Sequence, residues 1–301
     1  MDTVPYAFVD FVTELLTHWS IGELVNIRAW TEIAQVHKQE RRSYGINFWC
    51  TEQGVQGAFI RAYSGPSPYL NVKEVLKTER RFLRIWHFAN TESIKPPRDQ
   101  KRLLTFKYDQ LAKLEKFIVS HSYAHLSVYN KKLQPSLLNA FFRKVYFTAG
   151  ISLTNNCPLA ADFVKDQMEH STTLLHVNLR KKWDPSMLPY IKKFCLRPNV
   201  MLFRSASVEF TLDVPFVQEL MDVWRTDGEF KRIVHFARTP EIAEYMKSIM
   251  QQDGAQYVLI DKAARKVAHY TEESDQAHFS LHGYSRCYLC PPSVLLTISS
   301  S

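Results

Sequence analysis

Residues 213–250 read helix, strand, helix, and the same alternation runs through most of the chain. That rhythm narrows the fold more than any other feature of the sequence. Asp213 and Pro215 open a helix with Phe216, Val217, Leu220, Met221 and Trp224 on one face. Asp227-Gly228 closes it, and Phe230 to Ala237 reads as a strand. Thr239-Pro240 starts a second helix carrying Ile242, Tyr245, Met246, Ile249 and Met250. A polar residue just before Pro is a helix-start signal, because Pro lacks only an N–H that the first turn leaves unpaired anyway. The strand has an echo: Phe230-x-Arg232-Ile233-x-His235-Phe236-Ala237-x-Thr239 repeats Phe82-x-Arg84-Ile85-x-His87-Phe88-Ala89-x-Thr91.

Candidate strands lie at 103–107, 124–129, 145–153, 173–179, 200–211 and 230–237. Apolar-faced helices fall between them, opened by Asp109, Pro135, Pro158 and Asp184-Pro185. Strand starts recur every ~20–30 residues, the range of leucine-rich and similar repeats. One such unit cannot bury its helix face alone, so neighbours must stack. The expected fold is therefore α/β, with leucine-rich-repeat-like strand–helix units in an open curved sheet, although the leucine-rich consensus itself is absent. The alternative is a compact doubly wound sheet. A nucleotide-binding version would need a Gly-rich strand-to-helix turn, and no junction carries one. Residues 44–50 and 55–63 read as a hairpin, followed by a short helix over 69–78. From 256 onward the pattern changes to short antiparallel strands, a cap for the open end of the sheet. The expected division is 1–38, a helical hairpin; 39–255, the repeat region; and 256–301, a β cap and tail.

The N-terminal hairpin rests on two stripes. Phe8, Phe11, Val12, Leu15, Leu16 and Trp19 recur at helical spacing, Ser20 and Gly22 break the run, and Leu24, Ile27, Trp30, Ile33 and Ala34 form a second stripe. The elements Val4-Pro5, Phe8 to Leu16, Glu23-Leu24-Val25, Ile27-Arg28 and Trp30 resemble a degenerate F-box. The opening Met1-Asp2-Thr3-Val4-Pro5-Tyr6-Ala7-Phe8-Val9 is similar to that of a nematode-expanded family of F-box-like proteins. Those chains are of similar length, with strand–helix units and a hairpin-like tail. The resemblance implies a substrate receptor of a cullin-type ubiquitin ligase. Pro5, Phe8, Leu24 and Trp30 would meet a Skp-type adaptor, and the repeat region would meet an unknown substrate protein. A free-standing scaffold without adaptor binding, or a basic nucleic-acid-binding protein, is the alternative.

Composition limits the other classes. Of 301 residues, 46% are hydrophobic and 23% charged, enough for a large core. The net charge of +8 permits a nucleic-acid partner. The basic runs 77–84, Arg98 with Lys101 and Arg102, and Arg180-Lys181-Lys182 are short and separate, which disfavours that partner. Five cysteines at irregular spacing argue for a reducing compartment, cytoplasmic or nuclear. No apolar run is long enough to span a membrane. His278, His282, Cys287 and Cys290 form the one metal-like cluster, but its pairs are too cramped for a usual zinc site. His87 and His235 share strand faces with apolar neighbours and lack a nucleophile nearby. No catalytic residue, cofactor or metal is expected.

Overall fold

A computed structural model describes residues 6–15, 18–28, 30–52, 54–61, 69–90, 95–107, 112–113, 116, 122–129, 134–142, 144–198, 200–205, 211, 213–226, 232–237, 239–261, 266–273 and 276–283. The chain is α/β with large mixed sheets and falls into two compact units, Met1–Ala124 and His125–Ser301.

In the first unit the two apolar stripes become three helices: α1 (Tyr6–Leu15), α2 (His18–Leu24) and α3 (Thr31–Glu40). The expected break at Ser20 and Gly22 lies inside α2. Gly22 costs about 1 kcal/mol of helix propensity, too little to end a helix alone. The chain turns instead at 25–30, where Val25, Asn26, Ile27 and Trp30 N–H groups donate backward to Ile21, Glu23, Leu24 and Ile27 carbonyls. Thr31 Oγ1 secures that turn by donating to the Val25 and Ile27 carbonyls.

The sheet of this unit has the order β3-β1-β2-β4. Strands β1 (Arg42–Thr51) and β2 (Gly54–Arg61) form the expected hairpin. Gly54 sits at φ +152 against the backbone of Phe106 and Lys107, where any Cβ would clash. The short helix α4 spans Val72–Val75, and β3 (Leu83–Asn90) lies parallel to β1. Strand β4 (Leu104–Lys107) does not begin the parallel series as its rhythm suggests; it pairs antiparallel with β2.

The second unit carries that series. Strands β5 (Ser122–Val128), β6 (Gly150–Thr154), β7 (His176–Arg180), β8 (Leu202–Ser205) and β9 (Arg232–Ala237) are parallel neighbours in chain order. Between them run α5 (Gln134–Phe141), α6 (Pro158–His170), α7 (Leu188–Cys195) and α8 (Val214–Thr226), and α9 (Pro240–Ile249) follows β9. The helix-start signals work as expected. Asp213 Oδ1 accepts from Phe216 N–H at 2.9 Å, and Thr239 Oγ1 accepts from Ile242 N–H at 3.3 Å. The expected helix from Asp109 lies mostly outside the described residues.

After α9 the chain turns antiparallel through β10 (Gln251–Asp253), β11 (Gln256–Asp261), β12 (Lys266–Glu273) and β13 (Gln276–Gly283). Strand β13 pairs with β9. The expected antiparallel cap thus extends the parallel sheet at its β9 edge.

The two echo segments are both strands, but not alike. In β9 the alternation is regular, with Val234 and Phe236 buried on one face and Ile233 and His235 half-buried on the other. In β3 Tyr44 pairs with Ile85 and Gly45 with His87, so Trp86 is an extra residue. The bulge moves Ile85 onto the face of Phe88, both fully buried, and leaves Trp86 39% exposed. The shared pattern of Ile and His on one face therefore holds in β9 and fails in β3.

Candidate functional site

Two groups of side chains stand out, one in each unit. In the first, α1 divides its residues between inside and outside. Val9 and Thr13 are buried, as are Ile21 of α2 and Ile33, Ala34 and His37 of α3. On the outside Tyr6 is 57% exposed, Phe8 54% and Ile27 49%. Of the residues expected to meet an adaptor, Phe8 is the exposed one, Leu24 and Trp30 are half-buried, and Pro5 lies outside the described residues.

The inward side is fixed by polar contacts the stripes did not reveal. His37 lies 2.8 Å from Asp10 through Nε2, and its Nδ1 is 3.3 Å from an Arg41 guanidinium nitrogen. Arginine can only donate, so Nδ1 accepts and the proton sits on Nε2, which donates to Asp10. Burial holds His37 below its ordinary pKa; Asp10 pulls it up and Arg41 pushes it down. The same Arg41 nitrogen donates to the Thr13 carbonyl at 2.8 Å, and Arg81 reaches Asp10 at 3.3 Å. The helices are therefore tied to each other and to the segment that enters β3.

The second group belongs to the second unit's sheet. Along β5 to β9, Leu126, Val128, Ile151, Leu153, Val177, Leu179, Phe203, Val234 and Phe236 alternate onto one face and are buried. At roughly 1.5–3 kcal/mol for each large side chain, burying that face contributes strongly to this unit's stability. The other face is polar. Register places Ser127, Ser152, Asn178, Arg204, His235, His278 and Thr271 side by side across seven strands. The next row contains His125, Gly150, His176, Leu202, Ile233, Ser280 and His269.

Gly150 makes room for its neighbours, since a Cβ there would stand 2.6 Å from His125 Cδ2 and 2.8 Å from His176 Cβ. His125 lies 3.3 Å from both Ser127 Oγ and Ser152 Oγ. The His235 and His278 rings stack with centroids 4.1 Å apart. Burial, then the charges of His278 and Arg204, push His235 down to about 4. Burial also lowers His176 and His269, the latter against the pull of Asp253. At neutral pH these three imidazoles are uncharged, able to donate and accept hydrogen bonds.

The depressed His235 pKa has a consequence for stability. The unfolded chain takes up a proton near the ordinary value of ~6.5, whereas folded His235 stays neutral until about 4. Its contribution is thus fully present above that ordinary value and declines as pH falls toward the folded one. The stability gap between the wild type and a His235→Asn variant should shift against the wild type between pH ~6.5 and ~4.5. Urea midpoints of both proteins across that window test this; a constant gap would exclude it.

Other expected features divide. His278 and His282 both lie on β13, and four residues along a strand span ~13 Å, too far to share one ion. Cys287 and Cys290 lie outside the described residues. Among the described residues no group of three His, Cys, Asp or Glu is placed to hold a metal ion, and no helix is long and apolar enough to cross a membrane. His87 is lowered by burial and stacks on Trp86 at 5.0 Å. No protein-family model matches the chain, and neither a curated protein nor a solved structure does.

Proposed function

We propose that the chain is a non-enzymatic protein-interaction module of the F-box-like kind, a substrate receptor of a cullin-type ubiquitin ligase. The N-terminal helices would dock on a Skp-type adaptor, and the polar sheet face of the second unit would meet the substrate protein. The observation that carries this reading is the two-sided character of the N-terminal helices. Val9, Thr13, Ile21 and Ile33 are spent inward, while Tyr6, Phe8 and Ile27 stay outside. Exposed large apolar side chains gathered in one helical module fit an interaction surface.

A second observation supports a leucine-rich-repeat-like reading of the second unit. Strands β5 to β9 stand in chain order. Crossovers of one hand then return every helix to the same face, whereas a doubly wound sheet reverses its order partway. Polar and apolar residues alternate along these strands, whereas a sheet with helices on both faces carries near-continuous apolar runs. A scaffold without adaptor binding remains the second reading, favoured by the Asp10–His37–Arg41 contacts that would serve a plain cap equally well. The receptor reading implies a cytoplasmic or nuclear protein, with nucleic acid disfavoured as partner and no cofactor required.

Phe8→Asp tests the proposal better than a change at half-buried Leu24, where lost folding would mimic lost binding. An unpaired carboxylate in a desolvated interface costs roughly 1–3 kcal/mol. Purified wild-type protein should capture a Skp-type adaptor, and Phe8→Asp should weaken capture roughly tenfold with its melting temperature unchanged. Wild-type protein that captures no adaptor would refute the receptor reading.

A further inference from the structure

We infer that the polar sheet face of the second unit seats an extended acidic peptide segment of a protein partner, held by Arg204 and Arg180. The inference rests on the reading of that face as the partner surface and names the chemistry it selects.

Arg204 is exposed in the middle of the polar row, between Asn178 and His235. Among the described residues it forms no ion pair. Arg180 lies on the same face, one step toward the carboxyl end of β7, with its guanidinium over the Tyr129 ring at 4.2 Å. Beyond it, the Lys181 ammonium meets Asn156 Oδ1 at 3.1 Å. The one described carboxylate of the Arg204 row is Asp253, at the β10 edge. Five strand spacings of ~4.8 Å put it ~24 Å away, beyond a Debye length of ~8–10 Å. Among the described residues the centre of the Arg204 row thus carries positive charge with no carboxylate within a Debye length along that row.

Spacing and polarity point to a peptide. Adjacent strands and a two-residue offset separate the Arg180 and Arg204 Cα atoms by ~8 Å, close to the ~7 Å between alternate residues of an extended chain. Acidic residues at alternate positions would therefore meet the two guanidiniums, each able to bind a carboxylate in bidentate fashion. Half-buried Asn178 and the neutral His235 supply donors and acceptors for the peptide backbone beside them. A single-stranded nucleic acid would stack its bases on aromatic faces, and the Tyr129 ring is already covered by Arg180.

The test uses the full chain and a short fluorescein-labelled peptide of alternating Glu and Ser, followed by fluorescence anisotropy. A peptide with Gln for Glu and a single-stranded oligonucleotide of equal charge serve as comparisons. The Glu peptide should bind in a salt-sensitive way. The Arg204→Gln/Arg180→Gln double variant should weaken binding at least ~tenfold while its melting temperature stays unchanged. No binding by the wild type, equal binding by the double variant, or tighter binding of the oligonucleotide would each overturn the inference. Adaptor capture by the same proteins separates two failures: capture without peptide binding removes this inference alone, and peptide binding without capture removes the receptor reading alone.

Discussion

Gln167→Leu should destabilise the second unit more than a change at any exposed position. Gln167 is fully buried in α6. Its Oε1 accepts from the Phe147 N–H at 3.0 Å, and its Nε2 donates to the Val145 carbonyl at 2.8 Å. Ser171 Oγ donates to the Phe147 carbonyl at 3.2 Å. One helix thereby serves the backbone of 145–147, a stretch whose composition reads as strand but which joins the sheet only from Gly150. Leucine fills nearly the same volume and removes both bonds. Each of the two buried backbone groups that loses its partner costs roughly 1–3 kcal/mol, so a loss of ~2–6 kcal/mol is expected. Urea denaturation followed by circular dichroism measures it. Gln167→Glu keeps the acceptor but loses the donor and buries a charge, so it should fail as well, and more at high pH than at low pH. A Gln167→Leu protein within ~0.5 kcal/mol of wild type would show that water or a small backbone shift replaces the side chain.

Gln167 also marks where the sequence stops being readable. The stripe Leu159, Phe163, Val164 and Met168 locates α6 correctly, because apolar spacing is a local property. Gln167, four residues after Phe163, sits on that stripe, and a polar residue on a buried face is a signal for a specific partner. What it bonds is a loop twenty residues earlier, which periodicity does not encode. His37 is the same case in the first unit, four residues after Ile33 on the inner face of α3. The polar sheet face was legible in principle. His125-Leu126-Ser127-Val128 and His176-Val177-Asn178-Leu179 alternate strictly, whereas parallel strands covered on both faces are nearly continuous apolar runs. Which histidines meet was not legible, since the stacking of His235 on His278 depends on β13 returning antiparallel beside β9. The bulge at Trp86 was hidden for a related reason, because it is defined by the register of β1 and not by β3 itself.

Arg41→Met should separate the inner role of the N-terminal helices from their outer one. Arg41 is buried, and its guanidinium spans the Thr13 carbonyl and His37 Nδ1. Methionine retains most of the stem but leaves both acceptors without that donor, a loss of roughly 2–6 kcal/mol at 1–3 kcal/mol for each buried group. The variant should also change how acid acts. In the wild type, burial and Arg41 hold His37 below its ordinary pKa, so stability is full above that ordinary value and is lost as pH falls through the window below it. Without Arg41 the pull of Asp10 is less opposed, folded His37 binds its proton more readily, and the loss on acidification becomes shallower. The stability gap between wild type and Arg41→Met should therefore narrow as pH falls from 7 toward 5. A gap that widens would contradict the Nε2–H tautomer and the hydrogen-bond chain built on it. Phe8→Asp, one residue before buried Val9, should leave the melting temperature where it is. If Phe8→Asp and Arg41→Met destabilise the protein alike, α1 has no free face, and its apolar residues belong to the fold and not to a partner.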